Sequence, residues 1–206
     1  EVRYSAYGYH GTEILIEGQY QWQTYTSYTQ GYAKMRLERI AEAAWAQGIK
    51  ATVFNCPEIR TNSSDIFVGV ELPLISLLRA LKKEDGGAWA DAQWQQCGDL
   101  LQDGNTVEAL LEKIEAFNNT EIMRGFRNFA AWPMPNSAPL ADLMIGASDE
   151  IVQLHKDRKA LITDHLSTLV LEATGPLMFH EMSAPAGPVL WLNHDVIARQ
   201  LNLLHP

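Results

Sequence analysis

The stretch GYAKMRLERIAEAAWAQGIKATVFN, residues 31–55, decides the fold class. Met35, Leu37, Ile40, Ala44 and Trp45 recur near helical spacing, which predicts a helix from Gly31 to Gln47. Gly48 supplies its stop, because glycine takes the left-handed C-terminal conformation without a Cβ clash. Ala51-Thr52-Val53-Phe54-Asn55 follows at once as a buried strand, and Pro57 ends it. Helix, glycine and strand make the second half of a βαβ unit. The expectation is an α/β fold, a mixed or mostly parallel sheet flanked by helices. No Gly/Ser/Pro linker or composition break divides the chain, so residues 1–206 are expected to form a single layered domain.

Upstream, all seven tyrosines fall within residues 1–32, a Tyr-rich N-terminal segment. Glu13 to Glu17 reads as a short strand between Gly11 and Gly18. The Gln/Tyr/Thr run after it is β-prone or loop-like. Downstream, Asn62-Ser63-Ser64-Asp65 is turn chemistry or a helix cap. Leu72 to Lys83 reads as a helix with Pro73 in its first turn, broken at Asp85-Gly86-Gly87. Trp89 to Leu101 reads as a short extended piece that becomes helical. Thr106 caps a helix with Leu110, Leu111 and Ile114 on its buried side. Glu121 to Phe126 suits a strand or a helix. Three prolines make Trp132 to Pro139 a loop. Leu143 to Ala147 reads as a buried strand and Ser148 starts a helix to about Ser167. Thr174-Gly175-Pro176 reads as a turn, Val189 to Leu192 as a strand, and Asp195 to Leu204 as a closing helix.

The formal charge of −9 argues against a nucleic-acid partner, since phosphate contacts need clustered Lys and Arg. It also disfavours anionic membranes. No run approaches the roughly 20 apolar residues of a membrane span. The chain starts at Glu1 without Met, which suits a mature form or an excised domain; a cytoplasmic protein and a secreted, delivered domain are both consistent with it. Cys56 and Cys97 lack zinc or CxxC spacing and read as two free thiols. The six histidines include no HExxH pair. There is no GxSxG elbow, no P-loop and no GxGxxG.

The run Leu81 to Ala92, LKKEDGGAWADA, resembles the core of the DxD-type GT-A glycosyltransferases, the group of capsular-polysaccharide, initiating-mannosyltransferase and toxin glucosyltransferase enzymes. Glu121 to Phe126, Asn136 with Asp142 to Ser148, and Leu171 to Pro176 follow in that family's order, so the resemblance covers about half the chain. It implies transfer from a nucleotide sugar to an unknown acceptor. Asp91 would be the catalytic, metal-linked acid holding Mn2+ or Mg2+. Gly86, Gly87 and Trp89 would form the nucleotide-sugar floor, and Thr174 and Gly175 would line the acceptor or diphosphate side. Gln93 stands where the second acid belongs, while Ile75 and Leu78 stand where the family has Asp and Arg. These departures imply a weakened metal site.

Two alternatives remain open. Residues 1–32 could make the chain a non-catalytic module that contacts a protein partner, because aromatic side chains give much contact area for little entropy. Tyr9-His10-Gly11-Thr12 resembles the start of diphtheria-type ADP-ribosyltransferases, which implies a nicotinamide adenine dinucleotide site through His10.

Overall fold

A computed structural model describes residues 2–26, 28–65, 69–84, 87–129 and 138–206. Asp85, Gly86 and the 132–137 part of the expected loop lie outside the described residues. The chain opens with strand β1 (Arg3–Gly8) and a hairpin of β2 (Thr12–Ile16) and β3 (Gln19–Gln23). Helix α1 (Tyr28–Ala46) and strand β4 (Lys50–Asn55) follow. Next come helices α2 (Glu71–Leu74), α3 (Leu77–Lys83), α4 (Gly87–Asp99), α5 (Val107–Asn118), α6 (Glu121–Arg124), α7 (Ala138–Gln153) and α8 (Ile162–Ser183). Strand β5 (Val189–Trp191) and helix α9 (His194–Leu204) close the chain. The fold is α/β, as expected.

β1, β4 and β5 form one sheet in the order β1-β4-β5, and both pairings are parallel. β2 and β3 pair antiparallel beside it. The α1 to β4 link forms as the sequence indicates: Gly48 has φ +81°, and the N–H groups of Gly48 and Ile49 donate to the carbonyls of Trp45 (2.9 Å) and Ala44 (3.0 Å). The inward face of α1 differs from expectation. Gly31, Glu38 and Ala41 are buried, whereas Ile40 is exposed.

The helices between β4 and β5, together with α9, pack an apolar core. Leu72, Leu74, Ile75, Leu77, Leu78 and Leu81 from α2, α3 and the turn between them meet Leu110 and Leu111 of α5, Leu166 of α8 and Leu201 of α9. Ile75 and Leu78 are apolar because they fill this core.

One element left open is decided, and several expected ones are corrected. Glu121 to Arg124 is helical, capped by Thr120, whose hydroxyl accepts from the Met123 N–H at 3.3 Å. Leu143 to Ala147 lies inside α7; a five-residue apolar run suits either period, and packing of Leu140, Ser148 and Ile151 chooses the helix. α7 ends at Gln153, so the helix expected from Ser148 to Ser167 is the end of α7, a turn, and the start of α8. Thr174-Gly175-Pro176 is no turn but the interior of α8, whose face of Leu166, Leu169, Val170 and Ala173 is buried. α4 is helical from Gly87, without an extended start. Ala138 and Pro139 form the first turn of α7, where a missing N–H costs little.

Candidate active site at the carboxyl edge of the sheet

In a parallel sheet every strand ends on the same side, and α/β proteins bind ligands outside those carboxyl ends. Here Gly8 is paired with Asn55 and Asn55 with Trp191, so the three strand ends stand in a row. The departing chains stay joined: Cys56 N–H donates to Gly8 O (3.1 Å) and Leu192 N–H to Asn55 O (3.0 Å).

Two asparagines at those ends clamp the link from β1 to β2. Asn55 accepts from the His10 N–H (3.3 Å) and donates through Nδ2 to Gly11 O (2.8 Å). Asn193 accepts from the Glu13 N–H (3.0 Å) and the Thr12 hydroxyl (3.4 Å), and its Nδ2 donates to Glu13 Oε2 (3.2 Å). Both Asn55 and the Glu13–Asn193 contact cross long stretches of sequence, so the loop is held from two strands at once.

The clamped loop presents His10. Its Nδ1 lies 2.9 Å from Glu38 Oε1, and both side chains are buried. The inward face of α1 supplies that carboxylate. Three aromatic rings surround the imidazole, with centroids at 5.2 Å (Phe129), 5.3 Å (Trp191) and 5.7 Å (Trp22). Trp22 also presses on Gly11, where a Cβ would come within 2.2 Å of the indole. Only glycine fits there.

Next to His10, the Tyr9 hydroxyl donates to Glu58 Oε1. Glu58 Oε2 is buried without a hydrogen-bond partner among the described residues. Burial pushes the Glu58 carboxyl up from 4.5 to about 8, so it holds a proton at neutral pH. Lys34 Nζ donates to Tyr7 O at the end of β1 (3.0 Å). His194, at the start of α9, is fully buried with neither ring nitrogen partnered among the described residues, and burial lowers it from 6.5 to about 3. Cys56 and Cys97 are free, and burial pushes them up to about 11 and about 12, so neither offers a ready thiolate.

The residues singled out from the sequence fall elsewhere. Asp91 lies on the exposed side of α4, 3.2 Å from Lys82. Gly87 opens the same helix with φ +49°. Trp89 stacks on His205 (4.5 Å, 5° between planes), and His205 contacts Glu172 of α8 at 2.9 Å. Thr174 is buried, with its hydroxyl donating to Val170 O of its own helix (2.8 Å), while Gly175 is exposed. Trp89 thus reaches α8 through His205, and Asp91 is held by α3. Gln93 is buried against His165 Nε2 at 2.8 Å. Gly86 lies outside the described residues. Of the sequence candidates only His10 is at the strand ends. Asn55, Asn193, Glu38, Glu58, Trp22 and Trp191 were missed. The two asparagines carried a usable signal, since each follows or ends an expected strand.

A parallel sheet with clamped loops at its carboxyl edge places the chain among the α/β proteins. Among these, the chain belongs to the enoyl-acyl carrier protein reductase FabMG family, whose model matches residues 1–201. Two solved structures are similar. One is an apo structure of FabMG, a novel type of enoyl-acyl carrier protein reductase, with 75% identity and a TM-score of 0.93, covering 100% of this chain and 46% of that chain. The other is an NADH-bound structure of FabMG, with 69% identity and a TM-score of 0.82, covering 99% and 50%. The chain therefore spans about half the length of these relatives. No curated protein matches it.

This family replaces the functional expectations drawn from the sequence. The glycosyltransferase reading is corrected: its late turn is the middle of α8, two of its strands are helices, and Asp91 is engaged with Lys82. The nucleotide-sugar partner falls with it. Mn2+ or Mg2+ is also corrected, since a FabMG relative binds NADH and no group of three or more His, Cys, Asp or Glu suited to a metal occurs among the described residues. The non-catalytic module gives way to an enzyme family, and the hydroxyls of Tyr9, Tyr20 and Tyr25 are turned inward onto Glu58, Glu84 and Asn118. The ADP-ribosyltransferase reading is corrected by the same family match.

Proposed function

We propose that this chain supplies the substrate side of an NADH-dependent enoyl-acyl carrier protein reductase. The observation that carries the reading is the row of strand ends at Gly8, Asn55 and Trp191 in a chain whose family match runs over residues 1–201. NADH, when bound, supplies the hydride that adds to C3 of the enoyl thioester. The double-bond electrons move toward the thioester oxygen, and C2 then takes a proton, leaving a saturated acyl chain.

The residues at the mouth fit part of that demand. Trp22, Phe129 and Trp191 offer flat apolar faces that exclude water from a hydride acceptor. Glu58, kept protonated by burial and held by Tyr9, adds no carboxylate charge beside the His10 loop. Asn55 and Asn193 fix the loop that carries His10. The chain has no GxGxxG loop, so the reading assigns the diphosphate cradle to the rest of the enzyme. The same reading puts the protein in the cytoplasm with its carrier-protein substrate. Among the described residues no helix is long and apolar enough to cross a membrane.

The test is NADH consumption by the full-length reductase with a trans-2-enoyl thioester of acyl carrier protein. Turnover is expected, and Trp191→Ala is expected to lower kcat/KM about tenfold or more, roughly 1.4 kcal/mol of transition-state binding. Absence of turnover by the unmodified protein would sink the reading.

A further inference from the structure

A histidine buried only for packing has its ring nitrogens satisfied. His10 has one held and one free. Its Nδ1 lies 2.9 Å from Glu38 Oε1, and among the described residues Glu38 has no other polar partner. A buried carboxylate needs a counter-charge or a proton, because a lone charge is costly to desolvate. Nε2 has no hydrogen-bond partner among the described residues, and it is not one of the unpaired polar atoms sealed from solvent. The ring is fixed from the sides by Phe129, Trp191 and Trp22 and from below by a loop clamped to Asn55 and Asn193. An imidazole oriented by a carboxylate through one nitrogen and presenting the other is the arrangement that proton transfer requires. Glu58 also holds a proton, but its unpartnered oxygen is sealed from solvent.

We propose that His10 is the catalytic acid of the reduction, delivering the C2 proton from Nε2, with Glu38 as its positioning residue. The inference rests on the reductase reading. Once C3 is reduced, the electron pair lies on the thioester oxygen as an enolate. That pair forms the C2–H bond as the Nε2–H bond breaks. The imidazolium becomes a neutral imidazole that keeps its Nδ1–H on Glu38, and solvent restores the proton.

The charged groups around the ring are accounted for. Glu38 of α1 faces it directly. Lys34 of the same helix is turned to Tyr7 O, Glu13 of β2 to Asn193, and Glu58, after β4, to Tyr9. β5 contributes Trp191, which brings no charge.

The test uses the full-length reductase with a trans-2-enoyl pantetheine thioester. Turnover by the unmodified protein bears on the reductase reading, and the variants bear on His10. His10→Gln is expected to lower kcat about a hundredfold or more, with KM and the NADH Kd changed less than about twofold. The acid form is the active one, so kcat falls as pH rises through the His10 titration. His10→Gln is expected to lose that limb and Glu58→Gln to keep it. Glu38→Gln removes the charge that favours imidazolium, which moves the limb to lower pH. Without NADH, the saturated thioester is expected to shift the His10 Nε2 resonance in the ring-nitrogen spectrum of labelled histidine. Near-normal kcat in His10→Gln, a limb that survives it, a limb lost in Glu58→Gln, an unmoved limb in Glu38→Gln, or an Nε2 resonance untouched by thioester would each overturn the proposal. Where His10→Gln fails to bind NADH, the Glu38→Gln limb and the Nε2 shift decide.

Discussion

At the scale of single residues, Glu58 and His194 resist ionisation for one reason, burial, and with opposite consequences for pH. Glu58 is raised from 4.5 to about 8, so across that window the folded chain holds a proton that the unfolded chain has lost. Stability then falls as pH rises, by up to about 1.4 kcal/mol per unit. His194 is lowered from 6.5 to about 3, so the unfolded chain gains a proton that the folded chain refuses. Stability then falls as pH drops through that window. Between pH 4.5 and 6.5 the two slopes oppose and largely cancel. Glu58→Gln is expected to gain stability over the wild type as pH rises from 4.5 to 8, on the order of 4 kcal/mol in all. His194→Leu is expected to gain over the wild type as pH falls below 6.5. Denaturant unfolding at several pH values checks both, and a pH-independent difference would count against the burial account. Gly11 makes a steric prediction instead. Gly11→Ala must displace the Trp22 ring, 2.2 Å from the new Cβ, and is expected to cost about 2 kcal/mol or more and to change indole fluorescence.

At the scale of elements, the case that sequence reading handled least well is α8. Thr174-Gly175-Pro176 has the composition of a turn, yet the Gly175 Cβ position meets nothing within 4 Å and the residue lies inside a helix. Pro176 disfavours a helical backbone at any preceding residue that carries a Cβ, which offsets the usual gain of roughly 0.5–1 kcal/mol for Ala over Gly in a helix. Gly175→Ala is therefore expected to leave Tm nearly unchanged, whereas a turn that needed glycine would lose about 1 kcal/mol or more. The contrast with α1, Gly48 and β4 explains which elements were legible. There helical spacing, a glycine stop and a β-branched run agree at adjacent positions. In α8 and α7 the local signals conflict, and the buried face formed with distant helices decides. The site follows the same logic. Asn55 and Asn193 lie at the ends of strands that the sequence indicates, so they were within reach. Glu38 was not, because it sits among Arg36, Arg39 and Glu42 and reads as part of a solvated face. Only the packing of α1 on the sheet turns it toward His10.

For the whole molecule, the hairpin of β2 and β3 is the strap between sheet and helices. Towards the sheet it is held by Asn193 through Thr12 and Glu13. Towards the helices, Tyr20 donates to Glu84 (2.8 Å), Gln23 to Met123 O (3.2 Å), Lys83 to Gly18 O (2.7 Å), and, just past β3, Tyr25 to Asn118 (2.6 Å). The Tyr-rich segment is thus internal wiring at Tyr20 and Tyr25, and burial raises both phenols above their ordinary range. Residues 1–206 as one domain is a proposal that this strap makes testable. If sheet and helices depend on the same hairpin, they unfold together, and calorimetric and van't Hoff enthalpies agree. Tyr25→Phe leaves the Asn118 oxygen without its donor in a buried setting, at an expected cost of about 1–3 kcal/mol. That loss is expected to move one transition as a whole, followed by far-UV dichroism and by Trp191 or Trp22 fluorescence alike. Two transitions, with only the helical one shifted by Tyr25→Phe, would show that the strap does not couple the layers and that the chain holds two folding units.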